Sequence, residues 1–130
     1  MSAQTTGQLV KSYFASTRAM DLEGWLGHFA PDAVSYDPVG GVPLAGHADL
    51  RAFFLQITGA FETVGLSEES VFLADGRAAV KWIGKGIGKN GRSVTFEGID
   101  VFELNAAGKI QTLWAYWDPQ KALSALAADR

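Results

Sequence analysis

Three turn signals in the second half of the chain constrain the fold more than any other feature. Asp75-Gly76, Lys89-Asn90-Gly91-Arg92 and Asn105-Ala106-Ala107-Gly108 separate four runs suited to strands, at about 64–74, 77–88, 93–104 and 109–118. Asp-Gly and Asn-Gly tolerate positive φ at the centre of a tight turn, so these breaks read as hairpin connections. Four strands joined in this way form an antiparallel meander. Such a sheet needs a second layer to bury its apolar face.

The first half supplies that layer. Thr5 or Thr6 is expected to cap a first helix, in which Leu9, Val10, Tyr13, Phe14 and Met20 recur at helical spacing. Asp21 is expected to cap a short second helix through Leu22, Trp25, Leu26 and Phe29, stopped by Ala30-Pro31-Asp32. Ala33 to Asp37 reads as a short strand, ended by Pro38 and the pair Gly40-Gly41. After a Gly- and Pro-rich loop to Gly46, Leu50, Phe53, Phe54, Ile57 and Phe61 form the apolar face of a third helix. Asp118-Pro119 opens a short terminal helix, with proline in the first turn. The reading is an α+β layer fold in which helices cover one face of a curved antiparallel sheet. A concave pocket lies between the layers.

Composition removes several functions from consideration. The 130 residues fit one domain, 1–130, with 48% apolar content. A chain of this length buries roughly two thirds of its unfolded surface and needs no covalent staples. With no cysteine there is no disulfide, thiolate nucleophile or sulfur-based zinc site. A net charge of −3 gives no basic excess for nucleic acid. No apolar run approaches the roughly 20 residues that span a bilayer. The opening Met1-Ser2-Ala3-Gln4-Thr5-Thr6-Gly7 lacks the basic and apolar regions of a signal peptide, so a soluble cytoplasmic protein is expected.

Strand parity singles out one carboxyl. In 93–104, one face carries Val94, Phe96, Gly98, Asp100, Phe102 and Leu104, and the other carries Glu97 and Glu103. An ionised Asp100 on the apolar face would lose hydration, and burial there raises its pKa. A neutral, proton-donating Asp100 is one outcome. An aspartate at a sheet mouth, bonded to a backbone amide or an arginine, is the other. Tyr13 points inward from the first helix, either as a core ring or as a functional hydroxyl. Asp37 precedes Pro38 as a turn residue or as a site carboxylate.

The remaining polar features carry less. Ala78, Val80, Trp82, Gly84 and Gly86 share a face, where the glycines read as a sheet bend or as volume left for a ligand. Trp114 and Tyr116 share one face of the last strand and Trp117 the other, with core packing the expected role for most of these rings. His28 and His47 lack metal-ligand spacing and read as surface or capping residues. Gly84-Lys85-Gly86-Ile87-Gly88-Lys89 opens a hairpin and not a helix, so a dinucleotide loop is excluded. Lys81, Lys85 and Lys89 read as a solvated strand face.

Together, Tyr13, the segment Tyr36-Asp37-Pro38-Val39-Gly40 and the segment Ile99-Asp100-Val101-Phe102 resemble the bacterial Δ5-3-ketosteroid isomerases. So does the ending Gly108-Lys109-Ile110-Gln111-Thr112-Leu113-Trp114-Ala115-Tyr116-Trp117. Element order is preserved, and the steps of 24 residues from Tyr13 to Asp37 and 63 from Asp37 to Asp100 fit the family. The resemblance implies the cone-shaped NTF2-like (SnoaL-like) α+β fold, a homodimer and no metal or organic cofactor. It implies Asp37 as general base, Tyr13 and protonated Asp100 as hydrogen-bond donors to a dienolate oxygen, and a pocket wall including Trp117, Val39 and Phe54. The implied ligand is a small apolar ketone of the steroid class. Because glycines flank Asp37, its carboxylate is expected to stay solvated and ionised.

Phe54 stands where a tyrosine is more usual in the family, so Tyr13 is expected to lose one supporting donor. Phe29, at a related position, is compatible with the family. Polyketide cyclases and some epoxide hydrolases share the cone and also use acidic pocket residues. A non-catalytic small-molecule binding domain is the third reading, since fold alone does not define activity.

Overall fold

The computed structural model describes residues 3–127. Helices α1 (Ala3–Arg18) and α2 (Leu22–Leu26) lead into strand β1 (Phe29–Tyr36), the two-residue strand β2 (Leu44–Ala45) and helix α3 (Gly46–Gly59). The meander follows as β3 (Phe61–Ala74), β4 (Arg77–Gly88), β5 (Ser93–Leu104) and β6 (Ile110–Tyr116), and helix α4 (Pro119–Ala127) closes the order. The strands form one sheet in the order β2-β1-β6-β5-β4-β3. All neighbours are antiparallel except β1 and β6, which run parallel. This is the expected α+β arrangement, with a large core between helices and sheet.

The hairpins sit where turn chemistry places them. Asp75 and Gly76 both adopt positive φ, 52° and 70°, as a tight two-residue connection requires. Asp118 accepts the Lys121 N–H at 3.0 Å and so caps α4, with Pro119 in the first turn. Asp21 caps α2 by accepting the Gly24 N–H at 3.0 Å.

Several boundaries differ from the expected ones. Thr5 and Thr6 lie inside α1 and are not its cap, because the helix already runs from Ala3. Phe29 begins β1 rather than ending α2, and Ala30-Pro31-Asp32 continues that strand. Phe61 likewise starts β3 instead of extending α3. In both places a buried aromatic opens the strand only two or three residues beyond the last helical one, so apolar periodicity hides the change. The last strand stops at Tyr116, which leaves Trp117 in the connection to α4.

Helix α1 is fixed against β3 by side-chain bonds. Thr17 Oγ1 accepts the Leu66 N–H at 3.0 Å, and the Arg18 guanidinium donates to the Leu66 carbonyl at 3.0 Å. Val10, Tyr13 and Phe14 are thereby pressed into the core. Beyond β1, the Val39 N–H donates to the Ala115 carbonyl at 2.8 Å and draws the Asp37 segment back to β6. Outside the sheet, Trp114 and Tyr36 stack at 6.3 Å and Tyr116 is half-exposed. These outer-face rings depart from the core role expected for most of the late aromatics. Among the described residues, no helix is long and apolar enough to cross a membrane.

Candidate active site

A cavity of about 610 Å³, counted to its open mouth, lies between the helices and the inner face of the sheet. Tyr13, Asp37 and Asp100 line it together, brought from α1, the segment after β1, and β5. Phe54 and Trp117 line it as well, while Val39 stands outside the lining and is 40% exposed. Val39 therefore positions the Asp37 segment through its backbone and does not form the pocket wall expected of it.

Asp100 obeys the strand parity. It is buried, as are Val94, Gly98 and Phe102 on its face, whereas Thr95, Glu97 and Ile99 are exposed. Desolvation drives its pKa well above the ordinary carboxylate value, and the nearby Asp37 charge drives it further the same way. Its preferred state in this cavity is the neutral acid, which can donate a hydrogen bond.

Asp37 differs from expectation. The residue is half-buried, but its carboxyl lies among apolar walls, and lost hydration raises its pKa to about 6. The flanking glycines do not keep it solvated, because Trp117 reaches over it from the far end of the chain. The Trp117 indole donates to Asp37 Oδ1 at 2.6 Å and partly offsets the rise. Asp37 is therefore mostly ionised at neutral pH and more basic than an exposed aspartate.

Tyr13 is packed edge-on against Phe14 and Phe102, with ring centroids 5.1 and 5.0 Å away. Burial, then the charges of Asp100 and Asp37, raise its pKa well above 10.0, so the hydroxyl keeps its proton. The Trp25 indole acts in the opposite direction as a hydrogen-bonding group beside that hydroxyl. Nothing in its helical spacing separated Trp25 from an ordinary core ring. The Trp25 and Phe54 rings lie 4.9 Å apart, so both positions belong to one wall.

The glycines of β4 do not leave ligand space. A Cβ on Gly84 would lie 2.4 Å from the Phe96 ring, and one on Gly86 would lie 2.5 Å from the Phe61 ring. Their missing side chains let neighbouring rings lie flat on the sheet. Phe96 in turn stacks with Trp117 at 5.7 Å, which gives the cavity a continuous aromatic wall. Phe53, Ile57, Val64 and Leu66 complete an apolar enclosure. Parity put Phe96 on the inner face, and helical spacing put Phe53 and Ile57 on the apolar face of α3 without separating lining residues from core ones.

The histidines serve structure. His28 bonds the Trp25 carbonyl at 3.1 Å and Ser12 Oγ at 2.8 Å, and His47 bonds the Phe29 carbonyl at 3.0 Å. Lys81 pairs with Glu69 and Glu97 on the outer sheet face. Among the described residues, no group of three His, Cys, Asp or Glu side chains could hold a metal ion.

Comparison with solved structures shows the same architecture elsewhere. A proposed polyketide cyclase from Xanthomonas campestris pv. campestris is similar at a TM-score of 0.82 and 18% identity, covering 95% of this chain and 98% of that one. SalBIII, an epoxide hydrolase/cyclase-like enzyme of pyran ring formation in the polyether salinomycin, is similar at 0.80 and 24%, covering 89% and 92%. An NTF2-like protein of unknown function from Burkholderia pseudomallei is similar at 0.81 and 23%, covering 98% and 100%. These likenesses establish the NTF2-like cone. The SnoaL-like domain family matches residues 10–113, and the chain belongs to that family.

Proposed function

We propose that the protein is a cofactor-independent isomerase that moves a carbon–carbon double bond into conjugation with a ketone, as steroid delta-isomerases do. The observation that carries this reading is the pairing of two carboxyls in one apolar cavity, one favoured neutral beside a tyrosine and one with a pKa of about 6.

Each group then has a defined task. The Asp37 carboxylate takes a proton from the carbon between the ketone and the double bond. The released electron pair forms a dienolate, whose charge collects on oxygen. Tyr13 and neutral Asp100 donate hydrogen bonds to that oxygen. Asp37 returns the same proton to the far carbon of the former double bond, and the carbonyl re-forms. Atoms and electrons balance within one substrate, and the protein ends as it began.

The magnitudes suit the chemistry. A preorganised donor to a developing oxyanion contributes about 2.7–4 kcal/mol, and a positioned base about 10²–10⁴-fold. A base with a pKa near the working pH combines ionisation with proton affinity. The aromatic wall formed by Phe96 and Trp117 suits a flat, hydrocarbon-like ketone such as a steroid. By the same family resemblance the protein acts as a homodimer, and the stacked Tyr36 and Trp114 on the outer sheet face supply a surface for pairing.

The test is conversion of a Δ5-3-ketosteroid to the conjugated enone, followed by ultraviolet absorbance. Asp37→Asn is expected to lower turnover by about 10²–10⁴-fold while phenol binding persists. Unchanged turnover would remove Asp37 from the mechanism. A second reading is a cyclase- or hydrolase-like reaction, supported by the SalBIII likeness. Product formation from a hydroxy-enone or an epoxide, with no isomerisation of the ketosteroid, would favour it. Tight phenol binding without turnover of any of these would favour a binding domain.

A further inference from the structure

Trp82 takes no part in the proton transfer above, yet its position is unusual. Its side chain is 1% exposed. Among the described residues, its indole N–H and the Ser35 hydroxyl are the buried side-chain polar groups without a hydrogen-bond partner. Leaving a buried donor unsatisfied costs about 1–3 kcal/mol, so such a group calls for a role.

The sheet register supplies an acceptor. Trp82 on β4 pairs with Gly98 on β5, and Asp100 follows two residues along the same inner face, opposite Val80. Gly98 makes room for the indole: a Cβ there would lie 2.5 Å from Trp82 Cζ2, two bonds from the ring nitrogen. Phe96 and Trp117, stacked on each other at 5.7 Å, both meet the ring edgewise, each with its centroid 5.9 Å away. The indole also lies near enough to Asp100 to favour its anion, opposing the effect of burial. Because the nitrogen is covered by protein atoms, a ligand in the cavity meets Asp100 and not the indole N–H.

We propose that Trp82 is a positioning residue for Asp100: its indole N–H closes onto the carboxyl oxygen that carries no proton and turns the acid O–H toward Tyr13 and the bound oxygen. The donation also polarises the carboxyl and makes its O–H a stronger donor. This deepens the proposed function but rests only on its oxygen-holding pair, so binding can test it without catalysis.

The probes are 4-nitrophenol, whose absorbance reports its ionisation, and naphthalene, which lacks an oxygen. Trp82→Phe is expected to weaken 4-nitrophenol binding about three- to tenfold and lower the ionised fraction of bound ligand, in line with the loss of one hydrogen bond. Naphthalene affinity should stay within twofold. In an Asp100→Asn background, Trp82→Phe should add less than twofold to the 4-nitrophenol loss. Should Trp82→Phe fail to fold, 3-benzothienylalanine at position 82 keeps the ring shape and lacks the N–H. Equal weakening of both probes, full additivity with Asp100→Asn, or no change in either probe would overturn the proposal. Failure of ketosteroid conversion alone would sink the isomerase reading and leave this one standing.

Discussion

Strand β5 carries carboxyls on both of its faces and treats them in opposite ways. On the outer face, Glu97 meets Lys81 at 3.0 Å and Glu103 meets Arg77 at 2.8 Å. The Arg77 hydrogen bond holds the Glu103 carboxyl below its ordinary value. On the inner face, Asp100 meets rings and a second carboxyl, and its pKa moves upward. The same chemical group becomes a solvated anion or a buried acid according to the pleat. What separates surface from site here is whether water or a cation stands opposite, since one desolvated carboxyl without a cation is cheapest when neutral.

The strongest way to break this contrast is to remove the inner carboxyl. Asp100→Leu deletes one donor to the dienolate oxygen, and ketosteroid turnover is expected to fall about 10²–10³-fold. Asp100→Asn keeps an N–H donor of similar size and should lose less. If the two variants were equally active, the donor role would be wrong.

A smaller effect comes from titrating the second inner carboxyl. Burial raises the Asp37 pKa from 3.8 to about 6, so its base form is lost below about pH 6. The value of kcat/KM should fall about tenfold per pH unit below that point and level off above it. The stability change has the opposite sense. The folded protein holds the Asp37 proton more tightly than the unfolded chain, so this group disfavours the fold fully above about pH 6 and ceases to do so below about pH 3.8. Asp37→Asn should therefore melt above the wild type at pH 7.5, with the gap closing between about pH 6 and 3.8. Thermal melts across that range check the sign.

The smallest effect belongs to the outer face. Lys81→Ala removes the partner of both Glu69 and Glu97, yet these groups are washed by water. Turnover should be unchanged, and any shift in Tm should vanish at high salt. A large loss of activity would mean that outer-face charge reaches the cavity and that the two faces are not independent.

The parts of this contrast legible in the sequence are those set by local rules. Period-two alternation placed Asp100 inward, and Asp75-Gly76 fixed the β3–β4 turn. Phe29 and Phe61 open strands although helical spacing also accommodates them, because an aromatic near the junction of helix and strand satisfies either period. The burial of Asp37 was invisible for a different reason. It is followed in sequence by a proline and, three and four residues on, by glycines, while the indole that covers it comes from 80 residues away. Gly84 and Gly86 read equally as a sheet bend or as ligand volume, because the Phe96 and Phe61 rings that lie on them come from other strands. Trp25 stood at an ordinary core spacing, and only the tertiary fold brings it to the Tyr13 hydroxyl.

The unequal protonation of the two aspartates can be observed without any substrate. Carbon-13 NMR of carboxyl-labelled protein, assigned with Asp37→Asn and Asp100→Asn, reports the charge of each group as pH changes. The account predicts that the Asp37 signal titrates at about pH 6 and that Asp100 still shows a neutral acid once Asp37 has ionised. An Asp100 signal titrating near 3.9, the ordinary value for an exposed aspartate, would contradict it.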